Sequence, residues 1–138
     1  MTESYMEEDG MAKQLTAQFE VTSWDEQPFD EGTGVAKLTE ALVGKTYTGD
    51  VEGTSVSKWL MVYAPDQSAT FVGIERIKGS ADGQHGSLVL QHVGTFQDGA
   101  AKATLTVVSG TNELKSAAGD GDFLADPAGS ITLRLTTG

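Results

Sequence analysis

Period-two alternation recurs along nearly the whole of this chain. From Lys13 onward, Leu15, Ala17, Phe19 and Val21 fall on one side, and Thr16, Gln18, Glu20 and Thr22 on the other. That is the pattern of a strand with one face buried, and it is expected to end near Trp24. Further strand-like runs lie near residues 35–48, 51–63, 68–79, 85–96, 100–108, 117–124 and 130–136, which makes about eight with the first. Between them stand GD at 49–50, APDQ at 64–67, ADG at 81–83, DG at 98–99 and DPAG at 126–129. Each supplies Gly for positive φ, Pro for a fixed φ or Asp for a local hydrogen bond. The stretch DEQPFDEGTG, residues 25–34, has the composition of a surface loop.

Helical spacing is weak, with one trace in KLTEAL at 37–42 and room for a single turn in SGTNELKSA at 109–117. A parallel βαβ design is therefore unsupported, and short turns between strands predict an antiparallel meander. The expected fold is all-β, a single antiparallel up-and-down barrel of about eight strands, because closure removes the exposed edges of an open sheet. Among the 17 glycines, those inside strands, such as Gly53, Gly73, Gly86 and Gly94, mark bends or close packing.

A chain of 138 residues makes one domain with one core. Residues 1–11 are polar and acidic and are expected to form a disordered tail, leaving 12–138 as the barrel. The start carries no apolar run, so neither a signal peptide nor a membrane anchor is expected. With 20 acidic residues against 9 basic ones, the net charge of −11 repels nucleic acid and anionic lipid. The chain has no cysteine, hence no disulfide, thiolate nucleophile or Cys-based zinc site. Cytoplasmic location and the absence of a cofactor are the resulting expectations.

The hairpin VGIERIKGSADGQHGSLVLQHVG, residues 72–94, carries a glutamate and a histidine among alternating apolar residues. If Asp82 and Gly83 form a two-residue type I′ turn, Ala81 pairs with Gln84, Ile77 with Leu88, Glu75 with Leu90 and Gly73 with His92. Glu75 and His92 are then diagonal neighbours on the more apolar face, directed into the barrel. A three-residue loop would change the parity and set Glu75 beside Gln91 instead. Inside a barrel an unpaired polar group costs about 1–3 kcal/mol, so something must satisfy both.

Other aromatic and acidic residues add candidates. In KWLMVY, Trp59, Met61 and Tyr63 share a face opposite Lys58, which directs them inward to line the same interior. Trp24 is a further large aromatic, and Glu52 and Glu113 stand in Gly-rich contexts as weaker candidates. Several motifs fail on inspection. GKT at 44–46 lacks the P-loop glycine five positions earlier, where Thr39 stands, and reads as strand. Asp120, Asp122 and Asp126 match three positions of a calcium loop that lacks its central glycine and closing glutamate, and read as a solvated turn. His85 and His92 have opposite strand parity, so no two-histidine metal site is expected. No G-x-S-x-G elbow is present.

The phrases SWDEQPFDEG, GDVEGTS, WLMVYAPDQSATFVGIERIKGSADGQHGSLVLQHVGTF and SGTNELKSAAGDGDF together resemble an uncharacterised bacterial domain-of-unknown-function family, the 3224 family. The resemblance runs from about residue 14 to 136, and Trp24, Glu26, Glu52, Trp59, Glu75, His92 and Glu113 are among the matching positions. Members look like allene oxide cyclase-type barrels, related in shape to lipocalins, which implies the same eight-stranded fold. The resemblance implies no established reaction. Barrels of that type are commonly oligomeric, and a homo-oligomer interface would explain apolar residues on the outward face, Val72, Ile74, Val89 and Val93.

Three functional readings follow. The first is a barrel that binds a small apolar or amphipathic molecule in its interior, oriented by Glu75 and His92 with Trp59, Tyr63, Trp24, Glu52 and Glu113 as further ligand contacts. The second is a cyclase or isomerase using Glu75 as acid or base. The third is an oligomeric structural barrel whose interior is filled.

Overall fold

The computed structural model describes residues 12–137. The expected tail at 1–11 lies outside them. Eight strands run in sequence: β1 (Lys13–Asp30), β2 (Lys37–Gly49), β3 (Val51–Tyr63), β4 (Ala69–Ala81), β5 (Gln84–Gln97), β6 (Ala100–Gly110), β7 (Ala118–Asp126) and β8 (Ala128–Thr136). Each pairs antiparallel with the next, and β8 pairs with β1 to close the barrel. A 3₁₀ turn at Asn112–Leu114 supplies the one helical element between them.

The hairpin register is the one that the Asp-Gly turn dictates. Asp82 and Gly83 both take positive φ, 54° and 75°, as a type I′ turn requires. Ala81 pairs with Gln84, Glu75 with Leu90 and Gly73 with His92.

Two local expectations give way. DEQPFD at 25–30 is strand, not loop, because β1 continues to Asp30. A bulge between Val21 and Ser23 moves the inward face of β1 from odd to even positions. Trp24, Glu26 and Pro28 therefore sit opposite Val43, Ala41 and Thr39, and the break in alternation is what disguised the strand. KLTEAL, despite its trace of helical spacing, lies in the strand expected at 35–48, and Thr39, Ala41 and Val43 bury one face at period two. Asp120 and Asp122 lie on β7 rather than in a turn, and Arg134 of β8 pairs with them at 2.8 and 3.8 Å.

The pairing of β1 with β8 ends at Phe19 and Gly129, so the second half of β1 pairs only with β2. It forms one wall of an open barrel end, the end that also carries the β1–β2 and β3–β4 turns. The core beneath it draws on every strand, including Leu15, Phe19, Tyr47, Trp59, Phe71, Ile77, Leu90, Leu105, Phe123 and Leu133. Gly73 and Gly94 make room for two of its large rings. A Cβ on Gly73 would strike the Lys58 carbonyl and stand 2.6 Å from Trp59 Cδ1, and one on Gly94 would stand 2.6 Å from Phe71 Cζ.

Candidate functional site

Alternation carries five polar side chains into the core: Thr39, Lys45, Ser57, Glu75 and His92. Glu75 and His92, diagonal across β4 and β5, meet directly, with His92 Nε2 2.9 Å from Glu75 Oε1. The other ring nitrogen, Nδ1, accepts from the Trp59 indole N–H at 2.9 Å. An indole N–H only donates, so this Nδ1 carries a lone pair and the proton sits on Nε2. His92 is thus a neutral imidazole that accepts from Trp59 and donates to Glu75.

The second oxygen of Glu75 accepts from the Tyr47 hydroxyl at 2.7 Å and from Ser55 at 2.6 Å. Lys45 Nζ lies 3.6 Å from Oε1, an ion pair longer than a direct hydrogen bond. Burial pushes the Glu75 carboxyl up, but Lys45, His92 and Ser55 outweigh it and hold it at about 2. Burial also lowers Lys45, against the pull of Glu75, and raises Tyr47 well above the usual phenol range, aided by the Glu75 charge.

Lys45 has no hydrogen-bond acceptor of its own. Its ammonium is instead enclosed by ring faces, 4.4 Å from the Phe19 centroid, 4.5 Å from Phe123 and 5.6 Å from Trp59. Trp59 stacks on Phe71 at 4.5 Å, Phe19 meets Tyr47 at 5.5 Å, and Phe123 meets His92 edge-on at 5.4 Å. Around the Glu75–His92 pair the interior is therefore filled by packed rings.

A second polar cluster lies at the open end. Glu26 Oε2 accepts from Thr39 Oγ1 and from the Tyr63 hydroxyl, both at 2.6 Å, and its Oε1 accepts from Trp24 Nε1 at 3.2 Å. Burial raises the Glu26 carboxyl, and these three bonds, with a smaller contribution from the charge of Lys37, bring it below the usual range. Burial and the bond to Glu26 push Tyr63 up to about 12. A cleft of about 390 Å³ opens here, lined by Glu26, Pro28, Lys37, Thr39, Tyr63 and Gln67. Trp24, 46 % exposed, flanks Glu26 and meets Trp59 edge-on at 5.4 Å. The two clusters are joined through that contact, since Trp59 also holds His92.

A family described as "Protein of unknown function (DUF3224)" matches residues 15–136. The chain belongs to the DUF3224 family. The fold agrees with a solved member, a protein of unknown function from Shewanella oneidensis MR-1, at a TM-score of 0.76 and 26 % identity over 92 % of this chain and 98 % of that one. Neither match bears on the likeness to allene oxide cyclases. No curated protein matches the chain.

Of the residues that the sequence singled out, the structure joins Glu75, His92 and Trp59 in one buried network and Trp24 and Tyr63 in the cluster above it. Glu52 and Glu113 stand apart from both. Glu52 is exposed on the outer face of β3. Glu113, in the 3₁₀ turn, accepts the His85 backbone N–H at 2.7 Å and so ties that turn to β5. Lys45, Tyr47, Ser55 and Thr39 were not singled out as site residues, and Glu26 was named only as a position matching the family. The parity of Ala41, Val43 and Tyr47 carries the signal for Lys45, whereas Glu26 is hidden by the bulge. Among the described residues, no group of three or more His, Cys, Asp or Glu could hold a metal ion, and no helix is long and apolar enough to cross a membrane.

Proposed function

We propose that this family member binds a small amphipathic molecule at the open end of its barrel. Glu26, Tyr63 and Thr39 make the polar contacts, Trp24 supplies aromatic surface, and Glu75 and His92 act from beneath by fixing Trp59, against which Trp24 packs. The observation that carries this reading is a contrast in access. Both nitrogens of His92 and both oxygens of Glu75 are engaged inside packed rings. Glu26 instead borders an open cleft with an aromatic neighbour on either side. A ligand reaching Glu75 would have to part the rings packed around it, whereas Glu26, although both its oxygens accept bonds, is reached directly from the cleft. We take the protein to be cytoplasmic and to work without a cofactor.

The enzyme reading is weaker on the same grounds. A general acid or base works best with a pKa near the operating pH, and Glu75 is held at about 2.

Native mass spectrometry of protein purified from its own host tests the binding reading, with a co-purifying small molecule as the expected result. The chain has two tryptophans, Trp24 and Trp59, both at this end. Stripping and restoring the molecule should therefore change the intrinsic indole emission. A bound molecule whose removal leaves that emission unchanged would place binding elsewhere, and finding no bound molecule would remove the support for the reading.

A further reading concerns the outer wall. Leu60 pairs with Val72 and Val72 with Val93 across three strands, and Leu42, Val56 and Ile74 are exposed beside them. So broad an apolar surface is uncommon on a monomer, and we propose that it is where two copies of the chain meet.

A further inference from the structure

We infer that the ligand of the open end carries a cationic ammonium group, taken between the Glu26 carboxylate and the aromatic rings beside it. This rests on the binding position proposed above and goes on to the chemistry of its occupant. Three features carry it. Every hydrogen bond to Glu26 comes from a neutral donor, Thr39, Tyr63 or Trp24. Among the described residues, no Lys, Arg or His nitrogen lies within 4.0 Å of that carboxylate, in contrast to Glu40, Glu75 and Asp120, each of which has a basic partner at that range. Its charge is thus stabilised but not neutralised by a direct ion pair. Oε1 accepts one bond, a long one of 3.2 Å, against two on Oε2, so it keeps capacity for a further donor.

The rings beside Glu26 suit the same occupant. Tyr63 and Trp24 reach Glu26 through their polar tips, and their ring faces attract cations through the aromatic quadrupole. The molecule uses this attraction twice already. Lys45 is enclosed by rings in the core, and Lys37 Nζ stands 5.8 Å from the Tyr63 centroid. Lys37 also lines the cleft, so it is a resident cation that an incoming ammonium would displace. The net charge of −11 favours the approach of a cation from a distance.

Three isosteric probes decide the matter: benzyltrimethylammonium, the neutral neopentylbenzene and the anionic phenylmethanesulfonate. They are titrated against tryptophan emission at about 0.15 M salt, where long-range attraction is screened. The cation should bind at least about tenfold more tightly than either isostere. Glu26→Gln keeps an oxygen to accept from Thr39 and Tyr63 and should erase that preference, with its fold checked by circular dichroism. Lys37→Met removes the competing cation and should tighten binding of benzyltrimethylammonium. Equal binding of all three probes would overturn the cation and leave the binding position standing. A preference for the sulfonate that disappears in Lys37→Met would assign the ligand's charge to Lys37 and overturn the inference. Failure of all three to bind would overturn the inference together with the position.

Discussion

Trp59 donates its indole N–H to His92 Nδ1 at 2.9 Å, which leaves His92 one nitrogen, Nε2, with which to hold Glu75. The bond thereby selects the tautomer of a buried histidine and the direction of the chain of hydrogen bonds. Trp59→Phe keeps the ring stack and deletes the donor, so Nδ1 becomes a buried acceptor without a partner. The cost should be about 1–3 kcal/mol, read as a fall in the urea midpoint at unchanged slope. A variant as stable as the parent would mean that the tautomer is not set by Trp59.

The Lys45–Glu75 pair is buried on both sides. Taking away one partner leaves a charge in the core, so Lys45→Met and Glu75→Gln should each lower stability by about 3–5 kcal/mol. The double variant should lose far less than the sum, since no unpaired charge remains. Additive losses in urea unfolding would show that the two side chains act separately and that the rings, not Glu75, stabilise the ammonium.

The network also fixes the acid response. Glu75 is depressed from 4.5 to about 2, so the unfolded chain takes up its proton at higher pH than the folded one. Protonation therefore favours unfolding. Stability from this group is complete above pH 4.5 and is lost as the pH falls through 2, by about 3 kcal/mol in all. Glu26 is lowered too and acts in the same direction, discounted because it is partly solvated. Urea midpoints measured down the acid limb should fall steeply for the parent and less for Glu75→Gln. Parallel slopes would assign the acid sensitivity to other carboxylates.

The barrel and the inward placing of Glu75, His92, Trp59 and Tyr63 are legible in the sequence because each depends on something local. Strand faces follow from alternation, and the β4–β5 register follows from one Asp-Gly turn. Glu26 and the inward turn of Trp24 were not legible in the same way, because the bulge after Val21 reverses parity and nothing in DEQPFD announces it. Lys45 was legible by parity but masked by chemistry, since a lysine on an inward face contradicts its hydration unless an anion and several rings converge from other strands. That convergence is non-local. Phe19 is a diagonal neighbour of Lys45 across the β1–β2 pair, but Phe123 and Glu75 lie on strands that do not pair with β2 and meet Lys45 only across the barrel interior.

Gly73 gives a test of close packing. A methyl group there meets the Lys58 carbonyl and the Trp59 ring, neither of which can yield without disturbing the strand or the stack. Gly73→Ala should cost about 1–3 kcal/mol or more and should alter near-ultraviolet circular dichroism through Trp59. Gly99→Ala, in the β5–β6 turn, meets nothing within 4 Å and bears only the strain of its φ of +79°, about 1 kcal/mol. Gly73 has no positive φ to demand a glycine, so if both variants behaved alike the strand would have yielded to the added methyl group and the close contact with Trp59 would not explain the glycine at 73.

The outer wall should be the surface where two copies meet. Ile74 is 59 % exposed at its centre, between Lys58 on β3 and Gln91 on β5. Lys58 is tied to Glu40 at 3.2 Å, so its charge is already compensated. Arg76, between Val56 and Val89 on the same face, has no carboxylate within 4.0 Å among the described residues, so the contact must leave it at the rim or meet it with a carboxylate of the other copy, and a stable pair needs about 800 Å² from each copy. Light scattering coupled to size exclusion should give a mass above the 14.5 kDa of one chain. Val72→Lys combined with Ile74→Lys should return the protein to that mass, because two ammonium groups would then have to be desolvated to form the contact. The substituted side chains point away from the core, so the unfolding midpoint of the separated chain should stay close to that of the parent under dissociating conditions. A parent that remains monomeric at every concentration tested would overturn the interface, and so would a double variant that keeps the larger mass.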